Sequence, residues 1–423
     1  MPEARNLKIF STFRCTADQC PDNCCDYNWN IDIDPETLAR WRGLTDEATR
    51  TYLLDSIDRT ATAVVFKQNQ QGDCIHLDGN KLCQIHGRFG PELLPQVCHA
   101  YPRLYLKSVD RVSNSVQLSC PEVARLLLQA EDDALFDIES CAEGQALDAS
   151  TVNPLLLEIN RIMVDYFERL PFSETLPVGA YLYDISDILI FLTQATQASN
   201  FSPDKLAKRC GPSRKMVQKR LQQTIAQAQA GKAGPTQTEI FMYWGLIHDL
   251  YQQRPIANID ALLGEADSGA NYWPLAQALF ATHSGSDMTK LQQQAAQQSD
   301  KIKLFGRQVQ ASLRRLERHL GINKLLLRYL QVKFHNHGFP WRPFKGNYTA
   351  TFLDCVIPFS IVVHLLVGLE SSGVNVDQAL LQDVIYRVER RFTHNTSIFE
   401  LLHKQPAWMN LSAYHRVFLQ MGL

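Results

Sequence analysis

FRCTADQCPDNCCDYNW, residues 13–29, places four thiols within eleven positions: Cys15, Cys20, Cys24 and Cys25. Four more follow at wide spacing, Cys74, Cys83, Cys98 and Cys120, so eight of the eleven cysteines lie in the first 120 of 423 residues. A segment loaded this way folds around sulfur, and three readings of it compete. A disulfide framework belongs to an oxidising compartment. No charged start followed by a long apolar run opens the chain, and an odd count leaves a thiol over. Structural zinc takes four thiolates, or thiolates mixed with imidazole, usually from two short hooks. Cys20-x3-Cys24 can be one hook, but no second follows; His76, His86 and His99 stand near the later cysteines and could complete a mixed site. An iron–sulfur cluster is held by thiolates, often several from one loop and one from far away. The compact first loop with a distant Cys120-Pro121 suits that description. The adjacent pair Cys24-Cys25 is unusual for either metal, because vicinal side chains diverge.

Outward from the loop, the residues predict an α+β module. LKIFSTF (7–13) and NWNIDID (28–34) alternate roughly as short strands. Asp34-Pro35 opens a helix, with Asp34 as cap and Pro35 in the first turn. ATAVVFKQ, CIHL and LCQIH read as strands, with a turn at Asp78-Gly79-Asn80 bringing Cys74 toward Cys83. LLPQVC gives a helical turn carrying Cys98, LYLKSV and VSNSVQL give a strand pair, and Cys120-Pro121-Glu122 opens the helix PEVARLLLQAE. A thiolate at that helix start faces unpaired amides and the positive end of the helix dipole. This is the strongest local argument for Cys120 as a ligand.

The ordered run FRC-x4-C-x3-CC-x3-W, then CIHL, LCQIHG, CHAYPRLY and LSCPEVARLLL, resembles the flagellin lysine-N-methylase family. Its N-terminal part is similar to a wider group of small cysteine-rich domains that chelate zinc or iron. The resemblance covers residues 8–130 and continues more loosely through RYLQVKFHNHGFPW (328–341). It implies a cytoplasmic protein-lysine N-methyltransferase with flagellin as its protein substrate, S-adenosylmethionine as donor and a 4Fe-4S iron–sulfur cluster. Spacing by itself supports only a thiolate-bound metal centre, with zinc as the alternative. Candidate metal ligands are Cys15, Cys20, Cys24, Cys25, Cys74, Cys83, Cys98 and Cys120, with Cys20, Cys24, Cys98 and Cys120 as the main set. Tyr101 and Arg103, beside the metal segment, are candidates for holding the donor; Arg103 can equally pair with a cluster sulfur or a structural acid. The rival functions are a non-catalytic metal-stabilised binding module and a redox module.

The remaining chain reads as helix. Residues 131–150 are acidic and rich in small side chains and are expected to link a module at 1–130 to a helical domain at 151–423. The expected class is therefore mainly α: an N-terminal cysteine-rich α+β metal-binding module followed by a larger all-helical domain. Val356–Leu369, VIPFSIVVHLLVGL, is the most apolar stretch; at 14 residues it falls short of the roughly 20 that span a bilayer and reads as a buried helix. A net charge of −2 gives no global basic excess, so neither nucleic acid nor membrane is expected as a partner. Residues 301–333 are locally basic and read as a solvated helical face or a surface for an acidic partner. Tyr181, Tyr183, Asp184 and Asp187 share one helix and read as core packing with a polar edge. No Gly-rich dinucleotide turn and no CxxxCxxC loop is present, and GEADSGANYW (264–273) reads as a loop. The target lysine must be neutral to attack a methyl sulfonium, and its ordinary pKa is about 10.4, so the site needs burial or a base.

Overall fold

The computed structural model describes residues 3–25, 29–60, 63–108, 111–130, 135–140, 153–172, 176–198, 201–264, 272–281, 287–340, 347–393 and 396–421. The chain divides into two compact units. One comprises Ala4–Leu106 and Ser113–Glu139; the other comprises Ser140–Leu423 with Met1–Glu3 and Lys107–Val112. The protein is mostly helical, with small sheets near its N-terminus.

The first unit runs β1 (Glu3–Leu7), α1 (Lys8–Thr12), α2 (Pro35–Arg42), α3 (Glu47–Asp55), β2 (Ile57–Arg59), β3 (Val64–Phe66), α4 (Gln84–Phe89), α5 (Gln96–Ala100), β4 (Arg103–Lys107), β5 (Arg111–Val116), α6 (Pro121–Gln129) and β6 (Phe136–Ser140). A four-stranded sheet has the order β4-β5-β1-β6, and β2 pairs antiparallel with β3, Asp58 facing Val65. Residues 131–134 and 141–150 of the expected linker lie outside the described residues, while Phe136–Ser140 joins the sheet beside β1.

Local chemistry explains most of these elements. Asp34 accepts from the backbone N–H of Thr37 at 2.8 Å and caps α2, with Pro35 in its first turn. The same carboxylate accepts from Gln96 N–H at 2.9 Å, so one residue also fixes the start of α5. Trp41, fully buried, donates from Nε1 to the Leu93 carbonyl at 2.9 Å. Four expected strands came out differently. CIHL is a turn between the isolated bridges Gln68–Cys74 and Leu77–Cys83. LKIFSTF is helix after Leu7, where Ser11 and Thr12 bond back to the carbonyls of Lys8 and Ile9. Asn28 of NWNIDID lies outside the described residues, and residues 29–34 form no strand, meeting β3 through the isolated bridge Asp32–Val65. LCQIH is helical after Cys83, which caps α4. In the turn before it, Asp78 Oδ1 accepts from Asn80 and Leu82 N–H, and the left-handed residue is Lys81, at φ 63°, rather than Gly79 or Asn80.

The second unit runs α7 (Pro154–Arg169), α8 (Val178–Gln197), α9 (Pro203–Cys210), α10 (Arg214–Gln229), α11 (Gln237–Gln252), α12 (Ala257–Gly264), α13 (Tyr272–Phe280), α14 (Met288–Gln297), α15 (Ser299–Leu320), α16 (Ile322–Asn336), α17 (Tyr348–Ser371), α18 (Gln378–Val388), α19 (Thr396–His403) and α20 (Pro406–Met409). Helix α17 is its axis. It is 24 residues long, beyond the apolar stretch expected from sequence, and by length and composition could cross a membrane. Its apolar window is nevertheless wholly buried within the protein, packed by α11, α13, α15, α16 and α18. A helix covered on all sides has no polar face to show, which is why its sequence lacks helical periodicity.

The basic stretch 301–333 is not one solvated face. Lys301, Arg307, Arg314 and Arg318 are exposed on α15, but Arg328 and Lys333 on α16 are buried. Lys333 Nζ sits 3.0 Å from Glu389 Oε2 and 3.1 Å from Thr393 Oγ1, both supplied by a π-helical turn at Glu389–Thr393.

Candidate metal centre

The cysteine loop is shaped by short polar bonds. Cys15 Sγ accepts from Ala17 N–H at 3.4 Å, and a 3-10 turn at Ala17–Gln19 delivers Cys20. Asn23 Oδ1 accepts from Cys25 N–H at 2.7 Å, and the Cys25 carbonyl accepts from Cys74 N–H at 2.8 Å. That last bond brings the loop to a residue 49 positions on. Cys74 lies in a core cluster with Ile33, Leu38, Trp41, Leu53 and Phe66, and Cys25, Cys83 and Cys98 pack against the same cluster.

The structure therefore gathers thiols from across the unit. Cys24, Cys74, Cys83 and Cys98 all act electrostatically on one another, in every pairwise combination. Cys25 joins them, hydrogen-bonded to Cys24. Cys120 is coupled to Cys20 and Cys24, so Cys24 is common to both groups. All ten described cysteines are thiols rather than disulfides. Cys15 is exposed; Cys141 lies outside the described residues.

Burial pushes these thiols upward, Cys74 to about 11 and Cys120 to about 12, and Cys83 and Cys98 in the same direction. For Cys25 the bond to Cys24 is the largest cause, followed by burial. Opposing this, backbone N–H groups reach the sulfur of Cys74 from His76, of Cys83 from His86 and Ile85, and of Cys120 from Val123 and Glu122. Cys83 and Cys120 are the N-cap residues of α4 and α6, so the amides a helix start leaves unpaired lie near their sulfurs without a formed side-chain cap bond. Thiols gathered in this way fit a soft metal, zinc or iron–sulfur. The side chains do not close on one point: among the described residues, no three His, Cys, Asp or Glu are arranged to hold an ion. His76 contributes an imidazole whose Nδ1 lies 3.0 Å from Tyr52 OH and whose buried Nε2 has no partner.

Tyr101 and Arg103 brace the loop. Tyr101 OH is 3.1 Å from Ser119 Oγ, next to Cys120, and its ring meets Trp29 edge-on. Arg103 donates to the Phe13 carbonyl at 3.3 Å and stacks over the rings of Phe10 and Phe13.

In the helical unit, Asp184 on α8 is buried and takes both Arg220 nitrogens, at 2.6 and 2.8 Å, and the Tyr166 hydroxyl at 2.6 Å. Asp187 pairs with Arg209, Tyr181 donates to the Pro171 carbonyl, and Tyr183 stacks on His415. Two buried polar groups were not legible in the sequence: the Lys333–Glu389 pair, and the chain His248–His364–Tyr272. A cavity of about 70 Å³ lies where α15 and α16 meet, lined by Val178, Leu313, Arg314, Glu317, Asn323 and Leu326 among others. Pockets for cofactor-sized ligands run to roughly 300–1,000 Å³, so this one does not seat a methyl donor. Most of the loop expected at 264–273 lies outside the described residues.

No family model matches the chain, and no solved structure matches it. The chain is similar to the lysine-N-methylase of Salmonella choleraesuis (strain SC-B67), 30% identical over 153 residues, which is 34% of this chain and 36% of that protein. The lysine-N-methylase of Salmonella typhimurium (strain LT2) is 29% identical over 153 residues, with the same shares. The flagellar biosynthetic protein FliU of Salmonella muenchen is 29% identical over 131 residues, 28% of this chain and 73% of that protein. The match thus spans about a third of the length of the two lysine-N-methylases.

Proposed function

We propose that this chain is an S-adenosylmethionine-dependent protein-lysine N-methyltransferase acting on flagellin, with a thiolate-bound iron–sulfur centre in its cysteine-rich unit. The observation that carries the metal reading is the mutual approach of Cys24, Cys74, Cys83 and Cys98 in a core-packed unit. The methyl-transfer reading is supported by relatives named lysine-N-methylase and a flagellar protein.

Those four thiols are the proposed main ligands. Cys20 and Cys120 approach from the Cys24 side, so the set is centred differently from the Cys20, Cys24, Cys98 and Cys120 grouping that spacing pointed to. When bound, such a cluster supplies soft Lewis-acidic irons and a rigid sulfur-ligated node. The chain's own part is clearer. N–H groups at the starts of α4 and α6 partly offset the burial that raises Cys83 and Cys120, and Arg103 and Tyr101 fix the loop that presents Cys15 to Cys25. In the transfer, the neutral lysine nitrogen forms a bond to the donor methyl while the sulfur–methyl bond breaks; the thioether leaves and the extra proton passes to a base.

The test is protein purified without oxygen, assayed for iron, sulfide and zinc, then incubated with flagellin and methyl-labelled donor. Iron and sulfide in matching amounts, with label on flagellin lysines, support the reading. Zinc without sulfide replaces the cluster by a zinc site, and unlabelled flagellin with fully loaded protein removes the enzyme. Cys24→Ser is expected to lose the metal, since Cys24 belongs to the gathered group, and retained metal in that variant would remove it from the ligand set.

A further inference from the structure

We propose that residues 203–229 form a DNA-binding element, in which α10 enters the major groove of a duplex. Two helices, α9 and α10, are joined by the three-residue turn Gly211-Pro212-Ser213. A short Gly-containing turn between two helices is the build of a helix-turn-helix, whose second helix reads DNA. Gly211 has φ 91°, and a Cβ there would stand 3.4 Å from Val217 Cγ2 and from an Arg220 nitrogen. Leu206 and Cys210 on α9 and Val217 and Leu221 on α10 are fully buried, with α9 packed on α7 and α8, and α10 packed on α8.

The turn is held from behind. Arg220 donates to the carbonyls of Arg209 and Cys210, at 2.9 and 3.2 Å, while gripping Asp184. Arg169 donates to the Gly211 carbonyl at 2.6 Å. Everything else on the first half of α10 faces solvent: Arg214, Lys215, Gln218, Lys219 and Gln222 are exposed, and Met216 is 53% exposed.

The whole-chain charge of −2 conceals a local excess. Residues 201–238 hold eight Lys or Arg against a single acid, Asp204. Arg209 and Arg220 are neutralised by Asp187 and Asp184, but Lys208, Arg214, Lys215 and Lys219 have no acidic partner among the described residues. Sixteen residues make a rod about 24 Å long and roughly 10–12 Å across, and the major groove is about 12 Å wide. The side chains at its start are those that read bases: Arg and Lys pair with guanine, Gln with adenine, and an apolar tip such as Met meets the thymine methyl. Lys208 lies on the helix that crosses the backbone in this geometry, where cations meet phosphate. A-form RNA does not admit a helix in its deep, narrow groove, and an acidic peptide would need apolar anchoring that this face lacks.

The experiment is fluorescence anisotropy of the full chain with a labelled mixed-sequence DNA duplex about three helical turns long. Binding is expected near the non-specific range, with a Kd of roughly 10⁻⁶–10⁻⁴ M, weakening steeply with salt. Arg214→Ala, Lys215→Ala and Lys219→Ala combined should weaken it about tenfold or more and lower the log–log salt slope by up to about 2.7. The same triple change at Lys301, Arg307 and Arg318 on α15 should leave it unchanged. All six positions are exposed, and circular dichroism checks that helix content is kept. Absence of binding at low salt overturns the proposal. Equal loss from the α15 variant, or equal affinity for polyglutamate, overturns it in favour of a general anion surface.

Discussion

Lys333 shows how far a single residue can depart from what its type announces. A lysine on a basic helix reads as solvated, yet this one is 1% exposed and its partner Glu389 2% exposed. Glu389 also accepts from Tyr329 and from Thr393, so the carboxylate is satisfied only while the whole group is in place. Lys333→Met strands a buried carboxylate and is expected to cost about 3–5 kcal/mol, whereas a double change with Glu389→Leu should lose far less. Urea unfolding of both variants checks this, and equal losses would show that the ion pair is not the cause. His364 makes a second test at this scale. It is fully buried between Tyr272 OH at 2.5 Å and His248 Nδ1 at 3.1 Å. Burial, and then His248, hold its pKa well below the usual 6.5, so the folded protein keeps the ring neutral where the unfolded chain would protonate it. Below about pH 6.5 the unfolded state binds the extra proton, and stability falls with pH by up to about 1.4 kcal/mol per unit. His364→Gln should flatten the midpoint-against-pH curve between pH 6.5 and 5; an unchanged slope assigns the acid sensitivity elsewhere. Neither group was legible beforehand, because each partner lies tens of positions away and no local pattern links them.

Elements whose cause is local were legible; those decided by contacts were not. Asp34-Pro35 and Cys120-Pro121 each start a helix where expected, because a cap and an N-terminal proline act within one turn. LKIFSTF and LCQIH are too short for alternation to separate strand from helix, and both became helical where neighbours required it. The gathering of Cys24 with Cys74, Cys83 and Cys98 depends on such contacts, so spacing could name the eight candidate thiols but not their grouping. The start of α8 offers a sharper test of contact. Gly179 donates to the Met421 carbonyl at 2.8 Å, and a Cβ there would fall 2.5 Å from that oxygen and closer still to the Phe418 carbonyl. Gly179→Ala must push the C-terminal 3-10 turn, His415–Gln420, off the helix and is expected to cost about 3 kcal/mol. Thr236→Ala, which breaks the capping box of α11 with Glu239, should cost only about 1 kcal/mol. Thermal unfolding of the pair should rank them in that order, and the reverse order would mean that the C-terminal turn yields freely.

At the scale of the whole molecule, the two units are built on different terms. The helical unit surrounds a 24-residue apolar helix with packed aromatic and aliphatic side chains, which is ample for stability without any ligand. The cysteine-rich unit packs in part on a cluster of eight buried side chains, one of them Cys74, with three further cysteines at its edge, and in part on others such as Leu7, Phe13, Val116 and Leu127. Sulfur thus occupies places where larger apolar side chains would otherwise fill the core. A metal bridging those sulfurs would close the chain between residue 24 and residues 74, 83 and 98, and binding energy of that kind is folding energy. Removing it should therefore act on one unit. Under reducing conditions and a strong chelator, hydrogen exchange is expected to rise across α2, α4 and α5 while α17 stays protected. Two separate thermal transitions should appear, the lower one moving with added metal. Unchanged protection of α2 after complete metal removal would mean that the apolar cluster alone holds the unit. The gathered thiols would then serve chemistry rather than folding.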